Sequence, residues 1–143
     1  EDAKKMAKII TDDLGGSGIF GVEFFITKKG EVIFSELSPR PHDTGMVTMY
    51  TQNLNEFDLH ARAILGLPIP EIKLLRSGAS HVVLATKESD NFTISGVEDA
   101  LSITDVEVRI FGKPTTRVNR RMAVVLAPTV DIAKKAAGKI SIN

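Results

Sequence analysis

Two glutamates, Glu23 and Glu36, flank a short turn within the run GVEFFITKKGEVIFSELSPRPHDTG, residues 21–45. Phe24, Phe25 and Ile26 before the turn and Val32, Ile33 and Phe34 after it have the aromatic and β-branched character of strands. Lys28-Lys29-Gly30 supplies the turn, with glycine free to take the positive φ that hairpin loops demand. A hairpin centred between Lys29 and Gly30 sets Glu23 directly opposite Glu36 on one face, and a slip of one residue would separate them. Two carboxylates 4 Å apart repel by about 4 kcal/mol at an effective dielectric near 20. The pairing therefore calls for a shared proton, a basic neighbour or a divalent cation. Magnesium suits such a pair, because it takes its remaining oxygens from water and substrate phosphates. The alternative is two acids at solvated strand ends.

The residues after Glu36 add chemistry. Ser38-Pro39-Arg40-Pro41-His42-Asp43-Thr44-Gly45 packs two prolines, a cation, an imidazole and a carboxylate into one loop. Prolines stiffen it and remove backbone donors, and a rigid polar loop after a strand is a common place for a ligand site. A proline-rich turn with an Asx cap at Asp43 and a helix starting at Thr44 is the simpler reading. Further on, Lys113 follows one candidate strand and Arg120-Arg121 open the next, so a hairpin brings three cations to one end of a sheet. Such a group fits an anion, since arginine offers paired planar donors to phosphate and lysine adds a point charge. A solvated basic loop tip is the alternative.

Other candidates carry less. Gly15-Gly16-Ser17-Gly18 leaves a helix and enters a strand, the reverse of a phosphate loop, and reads as a helix C-cap and connector. His60 has no second ligand at metal spacing and reads as a structural helix histidine. No side chain stands out as a covalent nucleophile, so no catalytic residue is assigned.

These residues must be positioned by ordinary elements. Ala3, Met6, Ala7 and Ile10 repeat with helical spacing, and residues 2–13 read as the last turns of a helix whose start is missing. A short helix is expected over Met46–Tyr50. A second runs from Glu56 to Leu65, with Asn55 as N-cap and Gly66 as terminator; its Phe57, Leu59, Ala61, Ala63, Ile64 and Leu65 contribute to a buried face. The proline-bearing segment Leu67–Pro70 is the candidate boundary. Strands are expected at His81–Ala85, Val106–Phe111, Met122–Leu126 and Lys139–Ile142, with helices near Val97–Leu101 and Thr129–Ala137.

The composition bounds the class. The 143 residues are 43% hydrophobic and 25% charged, as in a soluble globular protein. There is no cysteine, hence no disulfide and no thiolate zinc site. No apolar run approaches the roughly 20 residues of a membrane span. Residues 1–70 hold 7 basic and 10 acidic groups and residues 71–143 hold 11 and 8. That imbalance suits a cation and a phosphate, and is too small for nucleic-acid binding. No repeat or low-complexity segment is present.

The run FGVEFFITKKGEVIFSELSPRPHDTGMVT resembles the closing part of an ATP-grasp domain, in which two glutamates on adjacent strands hold the magnesium bound to ATP. Together with LNEFDLHARAILGLP, FGKP and RR it is similar, over almost the whole chain, to the formate-dependent glycinamide ribonucleotide formyltransferases of purine synthesis. The resemblance implies an α+β fold, with residues 1–70 as the C-terminal part of an ATP-grasp domain and 71–143 as a small β-rich, single-hybrid-like domain. It implies ATP and Mg2+ as cofactors, with Glu23 and Glu36 on the metal. It assigns Asp43, Lys113, Arg120 and Arg121 to the ribonucleotide, with His42 beside Asp43 in the same substrate-binding set. Many ATP-grasp members carry an asparagine two residues after the second glutamate; here that residue is Ser38, so only the two glutamates are assigned to the metal.

The implied partners are glycinamide ribonucleotide, formate and a missing N-terminal part of the same enzyme, in a cytoplasmic homodimer. The chain shows no lysine strand for ATP phosphates and no adenine hinge, so it is expected to be inactive alone. Three other readings stay open: a carboxyaminoimidazole ribonucleotide synthase, whose loop typically has asparagine where this chain has Asp43; a non-catalytic metal or nucleotide module; and a structural domain with incidental charges.

Overall fold

The computed structural model describes all of residues 1–143, and its contacts divide into two units. The first comprises Glu1–Thr48 and Asn53–Lys73, the second Met49–Gln52 and Leu74–Asn143.

In the first unit, helix α1 (Asp2–Leu14) ends at Gly15, whose φ of 70° and N–H bond to Thr11 O make it the connector expected of the glycine run. Strands β1 (Gly21–Ile26) and β2 (Val32–Ser38) form an antiparallel hairpin. One face of the hairpin carries the edge-to-face pair Phe24–Phe34, ring centres 6.3 Å apart. After it come a single 3-10 turn (Asp43–Gly45) and α2 (Thr48–Thr51), whose residues from Met49 on belong to the second unit, in place of one helix over Met46–Tyr50. Helix α3 (Glu56–Leu65) has the expected bounds. Asn55 accepts from the N–H groups of Phe57 and Asp58, Asp58 accepts from Asn55 N–H, and Gly66 closes the helix at φ 65°. This reciprocal cap fixes where the helix begins.

The expected buried face of α3 is only partly present. Leu59 is buried, but Phe57, Ile64 and Leu65 are exposed. Helical spacing marks which residues can share a face; it does not supply a surface to cover them.

The second unit is built around β6 (Arg121–Ala127), central in a three-stranded antiparallel sheet between β3 (Ala79–Leu84) and β5 (Glu107–Ile110). Met122 through Ala127 are at most 1% exposed, so this strand is covered on both faces. That explains its unbroken apolar sequence where a half-buried strand would alternate. Helix α5 (Val130–Ala137) packs on β3 and β6 through Ala133, Ala136 and Ala137, whose small side chains let the helix approach closely. Helix α4 (Val97–Leu101) adds Ala100 to the same core. The last strand, β7 (Ser141–Ile142), is shorter than Lys139–Ile142 and pairs with β4 (Ile94–Ser95), a strand with no sequence expectation. Arg76 lies over the Tyr50 ring at 3.6 Å and donates to Tyr50 O and to Glu107. No helix is long and apolar enough to cross a membrane.

Candidate functional site

The hairpin turn uses the expected residues but centres on Lys29, not between Lys29 and Gly30. Gly30 N–H bonds to Thr27 O and Thr27 N–H to Glu31 O, closing a three-residue loop, Lys28-Lys29-Gly30, with Gly30 at φ 84°. The register that this loop dictates pairs Ile26 with Val32, Phe25 with Ile33 and Phe24 with Phe34. Continued without interruption, it would set Glu23 against Ser35. Instead the register shifts between Glu23 and Phe24, Ser35 is left without an opposite number, and Glu23 faces Glu36. A bulge that re-aims a side chain beside a site is a recurrent device.

The proline loop then returns His42 to the two acids. The imidazole Nε2 lies 3.3 Å from Glu23 Oε1 and 3.9 Å from Glu36 Oε1, and ligand-capable atoms of all three side chains fall within 4.8 Å of one another. On its other side the ring meets Thr44, with Nδ1 3.1 Å from the hydroxyl and the Thr44 N–H aimed at it. Nδ1 acting as acceptor leaves the proton on Nε2, facing Glu23. His42 is thus the basic neighbour that the facing carboxylates require, and also the cap of the 3-10 turn, a role the sequence reading gave to Asp43. Glycine at position 21 is needed for this approach, since a Cβ there would stand 2.8 Å from His42 Cβ. Asp43, half-buried, opens the 3-10 turn.

The two carboxylates stay open to solvent, with side chains 46% and 57% exposed, so an ion held there keeps water in its shell. Ligands of one magnesium ion lie at most ~4.2 Å apart at bond lengths near 2.1 Å. Ligand atoms within 4.8 Å of one another approach that limit, and the hard oxygen donors fit the metal.

Glu56 was not foreseen. It is the first residue of α3, only 5% exposed, and its Oε2 accepts the His42 backbone N–H at 2.9 Å. Its other oxygen is buried without a hydrogen bond. Loss of solvation pushes its carboxyl above the ordinary range, partly offset by the hydrogen bond from His42 and that residue's charge, while Asp43 adds to the rise. Acids in a first helical turn are routine complements to the helix dipole and normally solvated, so nothing in the sequence marks this one as buried. A cavity of about 220 Å³ adjoins it, lined by Gly21, His42, Thr44, Gly45 and Thr48 among others. His60 has the structural role expected of it, accepting Ile19 N–H at 3.0 Å.

In the second unit, Lys113, Arg120 and Arg121 line one cleft of about 620 Å³, together with Arg117, Val118 and Asn119. No acidic side chain lines it. Arg120 donates through Nη1 to Thr115 O and Oγ1 at 2.9 and 2.6 Å, bracing the turn that carries the others. Asn119 takes φ 64°, and its N–H bonds to Ala85 O. Arg117 escaped the sequence reading because it lies outside the two short motifs and reads as one more loop cation.

This geometry has relatives. Residues 1–57 match the family model of the ATP-grasp domain. Residues 78–141 match the model described as PurT, C-terminal. The chain thus consists of part of an ATP-grasp domain followed by a PurT C-terminal domain. Among curated proteins it is 60% identical to the formate-dependent phosphoribosylglycinamide formyltransferase of Syntrophotalea carbinolica, over 99% of this chain and 37% of that protein. Among solved structures it resembles the N5-carboxyaminoimidazole ribonucleotide synthetase of Thermotoga maritima at TM-score 0.84 and 30% identity, covering 98% of this chain and 41% of that one. It also resembles the glycinamide-RNase-transformylase T of Mycobacterium tuberculosis at TM-score 0.69 and 34% identity, covering 96% and 35%. The chain spans little more than a third of the length of these proteins.

Proposed function

We propose that these residues serve an ATP- and formate-dependent enzyme that formylates glycinamide ribonucleotide, with the rest of the ATP-grasp body contributed by further sequence of the same protein. The observation that carries the reading is the facing of Glu23 and Glu36 across the hairpin, in a chain whose second unit offers a cleft lined by Lys113, Arg117, Arg120 and Arg121. Two half-exposed carboxylates are the protein's share of a magnesium site in which phosphates and water complete the shell. A bound magnesium ion would offset negative charge on the triphosphate.

The chain's own residues position and neutralise. Glu23 and Glu36 hold the cation, with His42 Nε2 set beside them. Asp43 orients the amine end of the ribonucleotide, while Lys113, Arg120 and Arg121 take its phosphate. In the reaction implied, a formate oxygen attacks the terminal phosphorus of ATP and the bond to ADP breaks. The ribonucleotide amine then attacks the carbon of formyl phosphate, losing a proton as inorganic phosphate leaves. The family resemblance extends the reading to a homodimer in the cytoplasm, the first part of which light scattering of the full-length protein tests.

A second reading draws on the fold likeness to the carboxyaminoimidazole ribonucleotide synthetase. One assay separates the two. Full-length enzyme is given ATP, Mg2+ and either formate with glycinamide ribonucleotide or bicarbonate with aminoimidazole ribonucleotide, and ADP release is followed. ADP release only with the formate pair is expected; release only with the bicarbonate pair replaces the first reading by the second.

A further inference from the structure

Glu56 is a costly residue to bury, since an ionisable group removed from water loses solvation that one hydrogen bond does not fully restore. It is nonetheless 5% exposed, and it reaches across fourteen positions of chain to the backbone N–H of His42. Its neighbours are cut to fit it. A Cβ on Gly45 would collide with Glu56 Oε2, so the carboxylate occupies the space that any other residue at 45 would fill. Its own backbone N–H bonds to Thr48 Oγ1 at 2.9 Å, and that hydroxyl donates to Gly45 O at 2.6 Å. The start of α3, itself fixed by the Asn55–Asp58 cap, is thereby tied by two hydrogen bonds to the segment that bears His42 and Asp43.

The consequence falls on the imidazole. With its N–H held by Glu56 and its Cβ pressed against Gly21, His42 keeps Nε2 between Glu23 and Glu36. We propose that Glu56 is a positioning residue which, by holding the His42 backbone, sets how tightly the Glu23–Glu36 pair binds its divalent cation. This rests on the reading of that pair as a magnesium site. Groups hydrogen-bonded to a metal ligand typically alter affinity by about 10- to 100-fold when mutated, and Glu56 acts one step further out, through His42, so the lower end of that range is its upper bound.

The test uses full-length enzyme and two readouts, the Mg2+ concentration for half-maximal rate and hydrogen exchange at the His42 amide. Glu56→Leu removes the acceptor, and Gly45→Ala displaces it while leaving Glu56 in place. Each is expected to raise the half-saturating Mg2+ several-fold, up to about tenfold, with a smaller change in kcat at saturating Mg2+ and faster exchange at His42. Glu56→Gln keeps an acceptor oxygen and is expected to restore both readouts to near wild type. If Glu56→Leu does not fold, Gly45→Ala and Glu56→Gln decide the matter. The proposal is overturned if His42 exchanges fast in the wild type, if folded variants lacking the contact keep wild-type Mg2+ dependence, or if Glu56→Gln matches the loss. Should the magnesium reading itself be wrong, Glu36→Gln leaves Mg2+ dependence unchanged while the exchange pattern at His42 persists, so the two failures are distinguishable.

Discussion

Glu23 and Glu36 face each other even though the turn joining their strands is out of step with that pairing by one residue. The offset is absorbed at Ser35, between the acids and the loop. The sequence leads to the right pair and the right turn residues by way of the wrong centre: a hairpin centred between Lys29 and Gly30 without a bulge, and one centred on Lys29 with a bulge, both end at the same partners.

The facing acids should gain stability and lose function when one is neutralised. Glu36→Gln removes like-charge repulsion across the ladder and is expected to stabilise the fold by roughly 0.2–1 kcal/mol, read by urea denaturation. The same substitution in the full-length enzyme should lower kcat/KM by about 100-fold, some 2.7 kcal/mol of transition-state stabilisation. A variant with full activity at limiting Mg2+ would remove the pair from the mechanism.

Glu56 gives stability a pH dependence with a definite sign. Burial raises its carboxyl above the ordinary 4.5, with Asp43 adding to the rise and His42 opposing it. The folded state therefore holds this proton more tightly than the unfolded state. Below 4.5 both states are protonated and the group costs no ionisation penalty; as pH climbs from there through the raised folded value, stability falls. Glu56→Gln should consequently melt above wild type at neutral pH, with the two converging on acidification to about pH 4. Parallel melting curves across that range would contradict the assignment.

The basic cleft should divide by role. Arg121→Ala is expected to raise KM for the ribonucleotide by about 10- to 100-fold with little change in kcat, as for a lost charge-assisted hydrogen bond of ~1.5–3 kcal/mol. Arg117→Ala should give a smaller rise in the same direction. Arg120→Ala should also lower the unfolding midpoint, because its guanidinium braces Thr115. Equal effects from all three on KM alone, with unchanged stability, would erase that division.

Gly96 is the sharpest structural requirement of the second unit. It caps α4 at φ 77°, and a Cβ there would collide with Lys139 O. Gly96→Ala should cost more than about 1 kcal/mol, measurable by chemical denaturation.

What the sequence discloses here is mostly what neighbouring residues decide among themselves. Asn55, Asp58 and Gly66 set both ends of α3, and the glycine run at 15–18 is legible as a connector because it follows a helical repeat. The strands at Ala79–Leu84 and Arg121–Ala127 announce themselves by apolar runs. Less visible is anything that depends on what covers a residue. Phe57, Ile64 and Leu65 share the apolar character of Leu59 but not its burial, whereas Glu56, polar and at a helix start, is buried. Ile94–Ser95 forms a strand only because Ser141–Ile142 lies beside it, and two residues carry no period. Adjacency in sequence groups His42 with Asp43, but it cannot show that the imidazole also reaches Glu23 and Glu36, an approach set by Gly21 and Glu56 from distant positions.

The placing of β6 bears on how the second unit comes into being. It is the last strand of its sheet to be synthesised and the only one that bonds both others. Until residue 127 has left the ribosome, β3 and β5 have no common partner, and their open edges are exposed to other nascent chains. The second unit is therefore committed late and nearly at once, with α5 and β7 following only a few residues behind.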